Sequence, residues 1–230
     1  MKRIVVLTGA GISRESGIRT FRDQDGLWNN YPIEEVATYD AWLRNRSLVL
    51  EFYNMRRKEL LSVEPNAAHF ALVDLEKKYD VRIITQNVDD LHERAGSACV
   101  LHLHGELKKV RSTQNPSFIK ELEGWELKEG DLCPEGSQLR PHIVWFGEAV
   151  PMFDEAVRIT KTADYLLVAG TSLNVYPAAG LLHYAPSQCP LWLIDPGDFN
   201  HTDTRKAIHI QQPATVGVPQ IVNELLTHED

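Results

Sequence analysis

In VLHLHGEL (100–107), His102 and His104 stand two apart, which in an extended chain puts both imidazoles on one side. A histidine followed by glycine at a strand end can reach into a cleft as a general base. A same-face pair can also ligate a metal, and a lone strand histidine is more often a packed residue. The stretch TQNVDDLHERAG (85–96) concentrates hydrogen-bonding groups at another strand end, in Gln86, Asn87 and Asp89. The plain alternative is a helix cap by Asn87 or Asp89.

The chain opens LTGAGISRESGIRTFRDQDGLW (7–28). Gly9 and Gly11 permit a sharp turn and close approach of backbone to a ligand, and a following helix would aim N–H groups at phosphate. A tight strand-to-helix turn is the bland reading, but a nucleotide phosphate suits the loop better. The pattern is not GxGxxG, since Arg14 and Glu15 stand where that fingerprint would finish, so a dehydrogenase is disfavoured. VAGTSLNVYPAA (168–179) places Gly170, Thr171 and Ser172 at a further strand end, and LIDPGD puts Asp195 where a carboxylate could grip a ribose hydroxyl or cap a turn. In LEFYNMRRKELL (50–61), Tyr53 and Arg56 fall at i and i+3 on one helical face. A guanidinium fork beside a hydroxyl donor suits a carboxylate; otherwise Arg56 belongs to a solvated patch with Arg57 and Lys58.

The elements that must position these groups follow from apolar patterning. RIVVL (3–7), VRIIT (81–85), VLHLH (100–104), HIVWF (142–146), DYLLVAG (164–170) and PLWLID (190–195) read as strands, most without polar alternation, as in a parallel sheet buried on both faces. Helical patterns cover 40–61, 65–79, 88–95, 152–162 and 178–185, with a final amphipathic helix in VPQIVNELLTH. Asp40 and Asn66 occupy N-cap positions, and Pro177 suits a helix start. The expected fold is α/β, a Rossmann-like doubly wound parallel sheet with a small second module. Residues 1–28, 63–104 and 140–230 form the nucleotide-binding part, and 29–62 (helical) with 105–139 (polar) form the module. Ligands in such sheets bind at the carboxyl ends of the strands, and five loaded strand ends converge on one rim.

Composition narrows the class. The 230 residues suffice for one good core; 43% hydrophobic and 24% charged residues are ordinary for a globular chain. A formal net charge of −8 argues against coating nucleic acid. Three scattered cysteines, Cys99, Cys133 and Cys189, without CxxC suit a reducing compartment. No apolar run is long enough for a membrane span or a signal peptide.

The ordered motifs GAGIS-x-ESGI-x-TFR, TQN-x-D-x-LH, the HG pair, VWFGE and GTSLNVYPAAGL resemble those of the sirtuins, the NAD-dependent protein-lysine deacylases, over nearly the whole chain. The resemblance implies that Gly9, Ala10 and Gly11 wrap the NAD phosphates with backbone amides. Phe21 and Arg22 would belong to a loop closing over the cofactor. Gln86 and Asn87 would face the nicotinamide ribose, and Asp89 would hold the carboxamide. Gly170, Thr171 and Ser172 would lie near phosphate and adenosine, Asp195 at the adenosine ribose, and Ala214 near adenine. His104 would be the general base, with Asn87 beside it in catalysis. Val144, Trp145 and Phe146 would carry the peptide substrate by β-augmentation.

The implied reaction begins with attack of the acyl oxygen on C1′ of the NAD ribose and loss of nicotinamide. The resulting imidate collapses, with His104 accepting a ribose hydroxyl proton, to free lysine and O-acyl-ADP-ribose. Tyr53 and Arg56 resemble the pair of the desuccinylase-type members, which implies succinyl, malonyl or glutaryl groups, and Arg19 in GIRTFR fits the same class. A plain deacetylase and an idle NAD- or ADP-ribose-binding module are the alternatives. The family's small domain usually carries structural zinc on two cysteine pairs. Here only Cys133 lies between His104 and LRPHIVWFGE, with Ser112 and Gly136 near where partners belong. One thiolate cannot close a tetrahedral site, so no zinc is expected, His102 is structural, and 105–139 is held by packing alone. The remaining expectations are acyl-lysine proteins or peptides as partners, no nucleic acid or membrane, and a minimal cytoplasmic enzyme.

Overall fold

The computed structural model describes residues 1–20, 30–197 and 207–227. Phe21 and Arg22 lie outside the described residues. Six parallel strands form the main sheet: β1 (Arg3–Thr8), β2 (Asp80–Thr85), β3 (Val100–His102), β7 (Tyr165–Ala169), β8 (Leu191–Ile194) and β9 (Ile208–Ile210). Their order, β3-β2-β1-β7-β8-β9, is that of a doubly wound nucleotide-binding sheet. Alternate β1 residues serve two cores. Ile4 and Val6 pack under α4 (Ala67–Leu75) and α7 (Ala214–Thr227), whereas Val5 and Leu7 pack toward α6 (Phe153–Thr160) and the 3-10 segment Ala178–Tyr184. Both faces are therefore buried, which is why β1 shows no polar alternation. Fully burying each such side chain stabilises by about 1.5–3 kcal/mol.

The second module combines three helices, α1 (Ile33–Val36), α2 (Tyr39–Arg44) and α3 (Arg46–Leu60), with an antiparallel sheet of β5 (Ile119–Glu121), β4 (Gly105–Ser112) and β6 (Leu139–Ile143). Trp42, Phe52, Tyr53, Leu107, Val110 and Trp145 share its core. The run 142–146, expected in the parallel sheet, instead gives only His142 and Ile143 to the end of β6, which pairs with β4. The expected helix 40–61 breaks at Asn45, whose side chain accepts from the Leu48 amide and caps α3. Thr38, not Asp40, caps α2, through Ala41 N–H at 3.0 Å. Asn66 is the expected cap of α4 and also donates to Ile12 O and Ser16 Oγ, tying that helix to the opening loop. The strand expected over 100–104 stops at His102, and 178–185 forms a 3-10 rather than an α-helix. The C-terminal helix starts earlier than expected and contains Pro219.

Segment 105–139 is held by side-chain hydrogen bonds as well as by packing. The Gln138 side chain accepts from Gly130 N–H and donates to the carbonyls of Lys128, Asp131 and Leu139. Ser112 Oγ accepts from the amides of Gln114 and Asn115, and Cys133 Sγ lies 3.5 Å from it. Among the described residues no group of three or more His, Cys, Asp or Glu could hold a metal.

A buried histidine pair lies behind the sheet's rim. His69 Nδ1 accepts from Asn66 N–H at 3.2 Å, His92 Nε2 lies 3.0 Å from Thr8 Oγ1, and their rings are 4.9 Å apart. Burial lowers the His69 pKa to about 4, against a weak opposing pull from Glu93, and takes His92 well below its ordinary value. The unfolded chain binds these protons from about pH 6.5 downward, while the folded chain resists them. Stability is thus complete above pH 6.5 and falls as pH approaches 4, with His69 alone contributing a loss on the order of 3 kcal/mol. A thermal midpoint that drops by several degrees between pH 7 and 4.5 is the expected result; one that stays level across that range contradicts it.

Candidate active site

The order of the main sheet reverses between β1 and β7, so a crevice opens where their carboxyl ends diverge. The loops after these strands lock together there. Gly9 N–H donates to Ala169 O and Gly11 N–H to Gly170 O. Gly170 adopts φ +65°, and a Cβ on it would meet Ile12 N at 2.2 Å. A Cβ on Gly11 would meet Gly170 Cα at 2.7 Å. The glycines are therefore demanded first by close loop-to-loop contact. The amides of Gly9 and Gly11, assigned to phosphate with that of Ala10, here bond Ala169 O and Gly170 O. Of the three, only the Ala10 N–H has no partner among the described residues.

A cavity of about 740 Å³ fills the crevice and runs on toward the second module. It brings together Gly9, Ala10, Gly11, Gln86, Asn87, His104, Gly170, Thr171, Ser172, Asp195 and Ala214 with Tyr53, Arg56, Val144, Trp145 and Phe146. Residues far apart in the chain thus share one space, as the expected convergence of strand ends requires. Asp89 is the exception. It sits within the wall, its oxygens taken by Ser13 Oγ–H (3.1 Å) and Leu91 N–H (3.2 Å). Burial raises its pKa, and those two donors oppose the rise.

His104 follows β3 at the bend into β4. Its Nδ1 lies 3.0 Å from Gln86 O. A carbonyl only accepts, so Nδ1 carries the proton and the neutral ring keeps Nε2 as a proton acceptor. Burial lowers the His104 pKa, partly offset by the Gln86 hydrogen bond, so the ring is neutral at physiological pH. Asn87 is fixed beside it: Nδ2 donates to Gly9 O and Ser13 Oγ, leaving Oδ1 as its acceptor toward the cavity. Gln86 Nε2 donates to Thr171 Oγ1 at 3.1 Å, bridging two strand ends.

His102 behaves differently from its neighbour. Its ring nitrogens lie 3.0 Å from Asn87 O and 2.7 Å from Glu93 Oε1. Both acceptors call for N–H, so the ring is a cation. Burial alone would lower its pKa, but Glu93 and the Asn87 carbonyl raise it overall. The ring braces the 86–87 turn.

On the module side, α3 presents Tyr53 and Arg56, 2% and 7% exposed. Arg57 is buried too, donating to Leu107 O at 2.6 Å and Asn54 Oδ1 at 2.7 Å. A solvated basic patch is therefore not what this run forms. Burial lowers the Arg56 pKa, opposed by Tyr53, Asp89 and Glu59, yet a guanidinium stays charged. Burial takes the Tyr53 hydroxyl to about 12, so it remains a donor.

Val144, Trp145 and Phe146 line the cavity, but their amides are all engaged. Val144 N–H donates to His104 O, Phe146 N–H to Ala37 O, and Trp145 N–H to Glu148 Oε2. A peptide strand pairing here would therefore meet their carbonyls rather than these three N–H groups. Sequence reasoning also missed Ser13, which links Asn87 to Asp89, and the Arg140–Glu148 pair. Ser13 stood inside GAGIS and could have been singled out; nothing local marked Ala37 or Arg140.

Parallel-sheet order, a glycine-locked crevice and a neutral histidine at its edge define a nucleotide-dependent enzyme class. Comparison with known proteins narrows it. The Sir2 family model matches residues 9–177, and the chain belongs to that family. It is 55% identical to the NAD-dependent protein deacylase of Bacteroides thetaiotaomicron, over 98% of this chain and 99% of that one. It is 52% identical to the NAD-dependent protein deacylase of Helicobacter pylori (strain ATCC 700392 / 26695), over 99% and 94%. Among solved structures, a Sir2 homologue–NAD complex superposes with a TM-score of 0.87 at 40% identity, covering 98% of this chain and 90% of that one. Sir2 bound to acetylated peptide superposes at 0.81 with 28% identity, covering 98% and 94%.

Proposed function

We propose that the chain is an NAD-dependent protein-lysine deacylase that prefers acidic acyl groups, namely succinyl, malonyl or glutaryl. Its 55% identical relative is an NAD-dependent protein deacylase over the same length, and its fold is that of a Sir2 homologue in complex with NAD. The donor set suits the cofactor. Asp195 and Ser172 offer oxygens for ribose hydroxyls, the apolar Val175, Pro213 and Ala214 can flank a flat base, and Ala10 N–H remains for a phosphate oxygen. When bound, NAD supplies an electrophilic ribose carbon and a nicotinamide leaving group.

The protein's own groups then have defined tasks. Asn87 Oδ1 and Gln86 orient the ribose nearest His104. His104 Nε2 accepts a proton from a ribose hydroxyl, while its Nδ1–H stays on Gln86 O and holds the ring in place. Arg56 and Tyr53 receive the carboxylate at the far end of the acyl chain. One observation carries the acyl preference: a buried guanidinium and a buried phenol lie on the wall of the cavity that also holds His104. A guanidinium keeps its charge in that wall, and a charge-assisted bond to carboxylate is worth about 1.5–3 kcal/mol.

The test is a mass-spectrometric assay of one peptide bearing succinyl-, malonyl- or acetyl-lysine, with and without NAD. Loss of the acidic groups only with NAD, accompanied by nicotinamide, supports both parts. Loss of acetyl alone keeps the deacylase and discards the acidic preference. Binding of NAD with no turnover on any peptide leaves an NAD-binding module instead.

A further inference from the structure

The Tyr53 hydroxyl has an assigned acceptor role that nothing above explains. Trp145 Nε1 lies 3.0 Å from it, and both side chains are 2% exposed. An indole N–H can only donate, so the phenol oxygen is the acceptor. A phenol proton favours the plane of its ring and has two settings there, one on each side of the oxygen. The proton cannot point at the indole N–H that the oxygen accepts, so it takes the setting away from it, where it has no acceptor among the described residues.

Trp145 is held firmly enough to impose this. Its backbone N–H donates to Glu148 Oε2 at 2.8 Å. The Arg140 guanidinium lies 3.4 Å from its ring centroid and pairs with both Glu148 oxygens, at 2.7 and 3.0 Å. Arg111 adds a third contact to that carboxylate at 3.3 Å. The indole also meets Trp42 in a tilted contact, with centroids 5.8 Å apart. The ion pair and this aromatic contact therefore fix the direction of one N–H.

We propose that Trp145 is a positioning residue for acyl selectivity: its indole N–H turns the Tyr53 hydroxyl proton into the cavity, where it meets the carboxylate of an acidic acyl group bound to Arg56. The inference rests on the acidic-acyl reading above. An acetyl group has no carboxylate there and gains nothing from the oriented proton. Selectivity, the ratio of the two affinities, thus depends on Trp145, whereas a general loosening of the module weakens both substrates together.

The experiment is calorimetric binding of succinyl- and acetyl-lysine peptides without NAD, so that no turnover intervenes. It compares wild type, Trp145→Phe, Tyr53→Phe and the double variant. Trp145→Phe should lower the succinyl-to-acetyl affinity ratio by about fivefold to tenfold, the loss of one well-aimed hydrogen bond to a charged group. In the Tyr53→Phe background it should change the ratio no further. A second measurement needs no variant: in wild type labelled with ¹⁵N-tryptophan, one of the five indole N–H resonances should shift with succinyl- but not acetyl-lysine peptide. A ratio unchanged in Trp145→Phe, or one lowered equally in both backgrounds, overturns the proposal while wild-type preference for succinyl keeps the acyl reading intact. A wild type with no such preference removes both.

Discussion

His104→Ala lowers deacylation by about 10²- to 10⁴-fold, the usual worth of a positioned general base, and leaves NAD binding within a few-fold of wild type. The expectation follows from what each ring nitrogen does. Nδ1–H is bound to Gln86 O, so the catalytic atom is Nε2, and alanine offers no substitute. The contacts assigned to the cofactor lie on other elements, at the ends of β1, β2, β7 and β8 and the start of α7. The variant also strips Gln86 O of its donor, which costs about 1–3 kcal/mol if the carbonyl stays buried, so a lower thermal midpoint accompanies it.

The wild-type pH profile is the companion measurement. Burial places the His104 pKa below its ordinary value of 6.5, and the base form is the one that works. The midpoint of the acid limb therefore lies below 6.5. Calorimetry with NAD, single-turnover rates and that acid limb together separate catalysis from binding. An alanine variant that keeps more than a tenth of the rate would sink the role assigned to Nε2.

The second large effect is on acyl choice. Arg56→Met should reduce kcat/KM for succinyl-lysine peptide by roughly ten- to a hundredfold, the equivalent of a charge-assisted hydrogen bond, while kcat/KM for acetyl-lysine peptide holds or rises. Methionine keeps much of the apolar stem and removes the charge. The acetyl side of the prediction has its own cause: an acetyl group carries no carboxylate for the guanidinium, so removing the charge takes no bond from it. Equal losses on both peptides would mean that Arg56 serves the fold of α3 and not the acyl group.

Much of this was legible in the chain. β1 is an uninterrupted apolar run because Ile4 and Val6 meet one core while Val5 and Leu7 meet another, and such runs announce a sheet covered on both faces. Asn66 was recognisable as a cap from its type and place alone. The antiparallel sheet of the second module was not. β4, GELKKVRS, buries Gly105, Leu107, Val110 and Ser112 among charged residues, so its apolar signal is too thin for periodicity to find. The break at Asn45 was also hidden, since helical patterning continues through it and only the cap to Leu48 N–H ends one helix and starts the next.

Sheet class, family and the set of residues gathered at the rim are readable in the chain, because those depend on local patterning and on motifs short enough to read in order. What each residue has left to offer a ligand emerges from the folded contacts. The amides of Gly9 and Gly11 bond Ala169 O and Gly170 O. The oxygens of Asp89, the residue assigned to the carboxamide, accept from Ser13 Oγ–H and Leu91 N–H. His102 and His104, two residues apart, end as a charged brace and a neutral base because their partners are Glu93 in one case and Gln86 O in the other. Hydrogen-bonding capacity is a property of a residue, but its remainder is set by neighbours that come from anywhere in the chain.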